Sequence, residues 1–446
     1  MIVKKNITSL KFSDALSPLD GRYFLKLQDL TTYFSEKTLF YYRLFIEIKY
    51  LLFLSEKKLI RKIEEKERIF FEEILKNFNE KEFSKVKKIE EKINHDVKAV
   101  EYYLRGKLEK TSLSDLASFI HFGLTSEDIN NLSYSLILKD FKEKKLIEIL
   151  KKLTEKIRKI AEEFKNVVFI GRTHGQKAVP TTLGKEFLNY YYRLEKQIKQ
   201  IEVFQLEGKL NGAVGNFNAL KFAFPKENWQ KLTAEFISQL NLKPNLYTTQ
   251  ILFYDNYLGF FQIIYLINGI LIDFSINIWQ YIMLEILIQR KKEKEIGSST
   301  MPQKVNPINF EQTEGALGLA NAMFNFFIQK LTHSRLQRDL SDSIVRRFFG
   351  EALALTILGW QSFFSGLDKI YPNTDFLKKE MEESYEVLTE AVQIVLRLKK
   401  DNLGYEKVKK LVRGKRLKRT DYLQILKVLG LANNKKLKNL APENYI

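Results

Sequence analysis

The sequence predicts an all-α protein built around an elongated helical bundle, and three observations carry that prediction. Proline is scarce: eight in 446 residues, well under the usual share of about 5%. Apolar residues recur at spacings of three and four through long proline-free stretches, as a helix with one buried face requires. No run shows the strict alternation of a half-buried strand, and no βαβ spacing is present.

The elements follow in order. Thr125-Ser-Glu-Asp128 has the form of a capping box, a hydroxyl followed three residues later by an acid, and marks a helix start. Leu146, Ile149, Leu150, Leu153, Ile157, Ile160 and Phe164 then trace one long helix face. A second begins after Pro180 and Thr182 with Leu183, Phe187, Tyr190, Leu194, Ile198 and Ile201. The third occupies the apolar stretch from Ile251 to Leu287. Three long helices in one region argue for a bundle. Because they are apolar on more than one face, neighbouring subunits are expected to cover the remainder.

That third stretch carries no charge between Asp255 and Asp273. Its run Leu258–Ile272 sits at the short limit of a membrane span, roughly 17 to 25 residues. Asn256, Gln262, Asn268, Gly259 and Gly269 interrupt it, and the pattern continues past Asp273 to Trp279 and Leu284. The expectation is a helix buried inside a soluble bundle, with no membrane partner.

A chain this long needs two or three domains. The division expected is a helical domain at 1–114, a long-helix bundle at 115–355 and a helical domain at 356–446. There is no cysteine, which excludes disulfides, thiolate metal sites and a cysteine nucleophile. Met1–Asp20 contains no apolar segment of signal-peptide length, so a cytoplasmic location is expected. The formal charge of +19 and the run Arg413-Gly-Lys-Arg-Leu-Lys-Arg419 invite a nucleic-acid reading. Much of the excess, however, lies where Lys alternates with Glu, as in Glu64–Glu73 and Lys142–Lys159, the pattern of a solvated face. Specific nucleic-acid binding is therefore not expected, while anionic, phosphate-bearing substrates would be attracted.

Four histidines are present: His95, His121, His174 and His333. None pairs at i+3 or i+4, so no metal is expected. No GxSxG, Walker or GxGxxG motif occurs, which leaves chemistry done by a positioned acid and base without a cofactor. His95 reads as a helix start, and His121, between Phe119-Ile120 and Phe122, as a satisfied core histidine. His174 lies in the Gly-flanked break Gly171-Arg-Thr-His-Gly-Gln176; a capping role and a chemical one are both open for it. Further breaks fall at Ser17–Tyr23, Asn211–Asn216 and Gly297–Pro307. The last holds two prolines, hydroxyls, Lys304 and two amides, and reads as a lid or binding loop.

Gly297-Ser-Ser-Thr-Met-Pro-Gln-Lys-Val-Asn-Pro307 resembles the signature loop of the fumarase/aspartase superfamily. Ser17-Pro-Leu-Asp-Gly-Arg-Tyr23, Asn94–Glu101, Thr125–Asn131, Arg172–Gln176, Tyr247–Gln250 and Gln337–Ser343 resemble, in the same order, segments of its bacterial adenylosuccinate lyase family. The resemblance implies a three-domain all-α fold, a homotetramer whose sites draw on three subunits, and β-elimination of fumarate from a nucleotide substrate. It implies that Ser298 is the general base and His174 the general acid, with Glu311 orienting His174. It further assigns Lys304 and Asn306 to the succinyl carboxylates, aided by Thr125 and Ser126 at a helix N-terminus, with Ser299 and Met301 beside them. Arg22, Tyr23, Arg338, Ser343 and Arg347 would meet the phosphate and nucleotide, and Asn94, His95, Asp96 and Gln250 other polar groups of the substrate. Gln303 stands where the resemblance implies that close relatives usually have histidine, at a position that varies across the superfamily. The alternatives are another fumarate-releasing lyase, such as argininosuccinate lyase, a catalytically silent scaffold, or a nucleic-acid-binding helical protein.

Overall fold

The computed structural model describes residues 14–290 and 300–446. The helices that matter below are α1 (Glu36–Glu56), α2 (Glu80–Ile93), α3 (Asp96–Leu108), α4 (Ser126–Phe141) and α5 (Ile147–Glu163). A hairpin of β1 (Val168–Thr173) and β2 (Gln176–Thr182) leads into α6 (Leu183–Val203) and α7 (Asp255–Met283). The short strand β3 (Leu287–Gln289) precedes α8 (Ile308–Leu331), α9 (Ser341–Arg346) and α10 (Phe349–Leu367). After β4 (Ile370–Pro372) come α11 (Thr389–Leu398), α12 (Gly404–Val412) and α13 (Arg419–Val428). Strands among the described residues form only two-stranded ladders, so the all-α expectation holds.

The chain divides into two compact units. Of the described residues, one comprises 14–150, 197–269 and 316–358; the other comprises 151–196, 270–290, 300–315 and 359–446. In the first, α1 packs on α4, and Phe261, Phe324, Phe327 and Phe349 bring α7, α8 and α10 together at ring separations of 4.8 to 6.2 Å. Asn268 of α7 donates to Asn321 and Thr356, both at 3.1 Å. That pairing satisfies a fully buried amide and fixes the rotation of three apolar helices that hydrophobicity alone would leave free to slide. In the second unit Phe187 and Phe310 pack on Phe274 and Phe363, while Val392, Leu396, Val408, Leu417 and Tyr422 form the C-terminal core.

The long helices lie where periodicity places them. α4 begins with the expected capping box: the Thr125 side chain accepts from the Asp128 backbone, and Asp128 accepts from Thr125 N at 2.9 Å. The third long stretch is the helix Asp255–Met283; by length and composition it could cross a membrane, and 56% of its most apolar window is buried. The break expected at Gly171–Gln176 is the turn region of a hairpin, whose strands the sequence pattern does not anticipate. Its strands are short and carry Gly171 and Pro180, and only contact between them reveals the pairing. Pro180 is tolerated more readily here because each strand of a two-stranded ladder keeps one open edge, where a missing N–H breaks no ladder bond.

His121, expected as a satisfied core histidine, is satisfied, but its side chain keeps 17% exposure at the edge of the core. Its ring Nδ1 lies 2.6 Å from Glu47 Oε1, and its backbone N–H donates to the other oxygen at 3.0 Å. Burial opposes the imidazolium, but the Glu47 carboxylate outweighs it and raises the His121 pKa. The stabilisation is therefore full below the unfolded value of about 6.5 and is lost as pH rises through the higher folded value. His121→Gln should accordingly cost most thermal stability near pH 6, with the gap to the native protein closing toward pH 9. Melting curves across that range check it; a constant gap would mean that His121 does not titrate with folding.

Candidate active site

The candidate residues of the first unit gather around two connected polar networks. His95 is the N-cap of α3, its Nδ1 accepting from Lys98 N at 3.1 Å. With Nδ1 so used, the neutral imidazole carries its proton on Nε2, and half of the side chain is exposed. Asn94, immediately before it, adopts the left-handed conformation that ends α2. Asp96 opens α3 and binds two guanidiniums, Arg43 at 2.8 Å and Arg347 at 3.3 Å. Burial alone would raise its pKa, but those two cations hold it down at about 2.

Arg43 continues inward. Wholly buried, it donates to Asn130 Oδ1 at 3.0 Å, and Asn130 donates to Glu127 at 2.8 Å. Glu127 is gripped in a fork by Arg346, at 2.8 and 2.9 Å, and also by Arg338 at 2.8 Å. Arg346 further meets Tyr254, which donates to Asp342 at 2.6 Å. Four guanidiniums thus face three carboxylates, leaving an excess of positive charge around half-exposed Arg347. Planar forked donors of this kind suit a phosphate. Ser343 lies within α9 between Asp342 and Arg346.

The next residue of α4 points into the second network. Asp128 accepts from Thr125 N, Asn211 N at 3.0 Å and Gly212 N at 3.1 Å, and pairs with Lys209 Nζ at 2.8 Å. Both charged side chains are fully buried. The loop 211–216 is thereby tied to the N-terminus of α4, where Thr125 and Ser126 are half-buried. Gly215 is required in that loop: its φ is +81°, and a Cβ would fall 2.1 Å from Thr248 O. Gln250 then joins the loop to the segment before α9, donating to Ala213 O at 3.1 Å and, through its backbone, to Gln337 O at 3.3 Å. Arg22 lies over the Tyr23 ring at 5.9 Å. The turn before it lines a cavity of about 310 Å³ together with Arg347, through Ser17, Leu19 and Asp20.

The second unit carries the remaining described candidates. His174 and Gly175 are the two turn residues of the β1–β2 hairpin, with φ of +53° and +73°. That is a type I′ turn, which the right-handed twist of the strands favours, and histidine is among the residues enriched at positive φ. The turn leaves the imidazole exposed at the tip. Below it Arg172 pairs with Glu380 at 2.5 Å and Lys177 donates to Ser384 at 2.6 Å, anchoring the hairpin base. Residues 300–307, including exposed Met301 and Lys304 and half-buried Asn306, run without helix into α8. Glu311, in the first turn of α8, accepts from Trp279 Nε1 at 3.2 Å. No hydrogen bond joins His174 to Glu311 within one chain among the described residues. Ser298 and Ser299 lie outside the described residues.

Sequence reasoning passes over Arg43, Lys209 and Arg346, and gives Glu127, inside the Thr125–Asn131 segment, no role of its own. A signal exists for one of them. Arg43 lies on the same helical face as Phe40, Leu44 and Leu51, where an unneeded charge would be expelled.

Comparison with known proteins adds the lineage. A lyase family model matches residues 31–320, and an adenylosuccinate lyase C-terminal model matches 334–446. The adenylosuccinate lyase of Legionella pneumophila (strain Corby) is 43% identical over 438 residues, 97% of this chain and 96% of that protein. This chain belongs to the adenylosuccinate lyase family. The adenylosuccinate lyase of Buchnera aphidicola subsp. Schizaphis graminum is 42% identical over 443 residues, 97% of this chain and 96% of the relative. Among solved structures, β-carboxy-cis,cis-muconate cycloisomerase from Acinetobacter calcoaceticus sp. ADP1 superposes with a TM-score of 0.76 at 18% identity, covering 95% of this chain and 96% of the other. At that identity the likeness speaks for the fold, which is the all-α fold of the superfamily, and the family matches make the protein a lyase.

Lys209 and Asp128 form the most deeply buried ion pair of this region. Lys209→Met should strand a buried carboxylate and cost about 3–5 kcal/mol, read as a lower thermal midpoint. Adding Asp128→Asn should recover part of that loss. A Lys209→Met protein as stable as the native one would show that the pair is not what holds the 211–216 loop.

Proposed function

We propose that the protein cleaves adenylosuccinate to AMP and fumarate, and the succinylaminoimidazole carboxamide ribotide of purine biosynthesis to its carboxamide ribotide and fumarate. The observation that carries this reading is the family membership over 97% of the chain. The cationic network around Arg347, Arg338 and Asp96 supports it, since both substrates carry a phosphate.

The reaction needs a base to remove the proton beside a succinyl carboxylate, donors to stabilise the resulting dianion, and an acid to protonate the departing nitrogen. Ser298 is assigned the first role and His174 the last. A serine hydroxyl is a weak base, so its activation has to come from backbone N–H groups and nearby positive charge. Lys304 and Asn306, beside Ser299 and Met301, are assigned to the succinyl carboxylates together with Thr125 and Ser126 at the start of α4, where the helix dipole favours an anion. Arg22, Tyr23, Arg338, Ser343 and Arg347 would hold the nucleotide, and Asn94, His95, Asp96 and Gln250 its remaining polar groups. No metal or cofactor is invoked.

We further infer a homotetramer with sites shared between subunits. Leu266, Met283, Leu319 and Phe326, all on α7 and α8, are each more than half exposed, a disposition that suits burial by another copy. Glu311 would then orient His174 across a subunit boundary. The three-domain division at 1–114, 115–355 and 356–446 and a cytoplasmic location belong to the same reading.

The decisive measurement is fumarate release from adenylosuccinate by purified protein. His174→Ala and Ser298→Ala are each expected to lower the rate by about 10²–10⁴-fold with the tetramer intact. No fumarate from native tetramer would overturn the assignment and turn the search to argininosuccinate, malate and aspartate.

A further inference from the structure

We propose that the exposed basic ridge at residues 407–419 binds single-stranded RNA through its phosphate backbone, without reading bases. Eight of these thirteen residues are Lys or Arg and none is acidic. From Arg397 to the last residue there are fifteen basic side chains against four acidic ones, so this stretch holds +11 of the chain's +19.

The fold sorts this segment cleanly. Val408 and Leu417 are buried in the C-terminal core with Leu396, Tyr422 and Leu426. Lys407, Lys409, Lys410, Arg413, Lys415, Arg416, Lys418 and Arg419 are all exposed. The irregular part is pinned at Leu417, whose carbonyl accepts from Tyr385 N at 2.8 Å and whose N–H donates to Glu386 at 2.9 Å. The cations are thus displayed on a fixed platform.

Their lack of partners separates them from other lysines of this chain. On α2, Lys85 pairs with Glu82, and Lys87 with both Glu36 and Glu90. On the ridge, the Lys407–Asp401 bond is the ion pair found among the described residues. The other seven cations make no ion pair among the described residues, the nearby Glu386 and Asp421 being taken up by the backbone N–H groups of Leu417 and Lys418. Such cations repel one another and keep counterions that a polyanion would release. The row follows α12, turns through 413–418 and ends on α13, a bent course that a flexible single strand can follow better than a rigid duplex. Within 407–419 the apolar side chains are buried or half-buried, so that the ridge itself offers charge and no apolar wedge for a lipid surface, Tyr405 and Leu403 being the exposed apolar neighbours. Arg413, Arg416 and Arg419 offer forked donors to phosphate. This surface does not depend on the lyase reading.

The test is fluorescence anisotropy of the full-length protein with a labelled mixed-sequence RNA 20-mer, beside a DNA duplex of equal length and phosphatidylglycerol vesicles. Native protein should bind the RNA most tightly. Raising salt from about 50 to about 200 mM should weaken binding about 100-fold, given about five phosphate contacts and a slope near −0.7 for each. Replacing Lys409, Lys410, Arg413, Lys415 and Arg416 by serine should weaken it at least tenfold while lyase turnover stays unchanged. A control with Lys66, Lys76, Lys81, Lys88 and Lys92 replaced by serine loses the same charge and should bind RNA like the native protein. Equal loss in both variants would reduce the effect to net charge and overturn the proposal. So would RNA affinity unmoved by the ridge substitutions, or tighter binding to duplex or vesicles.

Discussion

Two adjacent carboxylates, Glu127 and Asp128, decide how the first unit is put together. They open α4 on consecutive residues, so their side chains leave the helix about 100° apart and reach different partners. Glu127 turns toward Arg338 and Arg346, Asp128 toward Lys209 and the backbone of Asn211 and Gly212. Each is buried, where an unpaired charge would be prohibitive. The partners therefore have no freedom to leave, and segments distant in the chain converge on one helix end.

Much of the polar machinery follows from that convergence. Arg43 and Asn130 pass the constraint from Glu127 to Asp96, which holds the start of α3 beside Arg347. The loop 211–216, once tied to Asp128, sets where Gln250 can sit. Such a network is costly if any member fails, because every remaining group stays desolvated. Rigid scaffolding of this kind suits a site that must hold a multiply charged substrate still while a proton moves. The second unit solves a different problem. Its I′ turn pushes one imidazole to an exposed tip, and the pairs Arg172–Glu380 and Lys177–Ser384 hold the base beneath it.

How legible a feature is in the sequence depends on whether its cause is local. The long helices and the capping box at Thr125 are readable because periodicity and caps act over a few residues. His95 as a helix start and His121 as a satisfied, largely shielded histidine are readable for the same reason. The β1–β2 hairpin is not. A His-Gly pair is a weaker turn signal than Asn-Gly, and Gly171 and Pro180 break the alternation that would mark strands. Of the site residues, the motif segments are recognisable by resemblance, yet their supports Arg43, Lys209 and Arg346 lie in stretches with no motif.

The sequence by itself determined which stretches are helical, which faces turn inward and which family the chain joins, since side-chain spacing and short motifs record all three. Only the tertiary structure decided which charge meets which. Glu127 and Arg346 are 219 residues apart, and nothing in spacing or propensity links them. A buried charge must be paired, but its partner is whichever opposite charge the packed helices bring within hydrogen-bond reach.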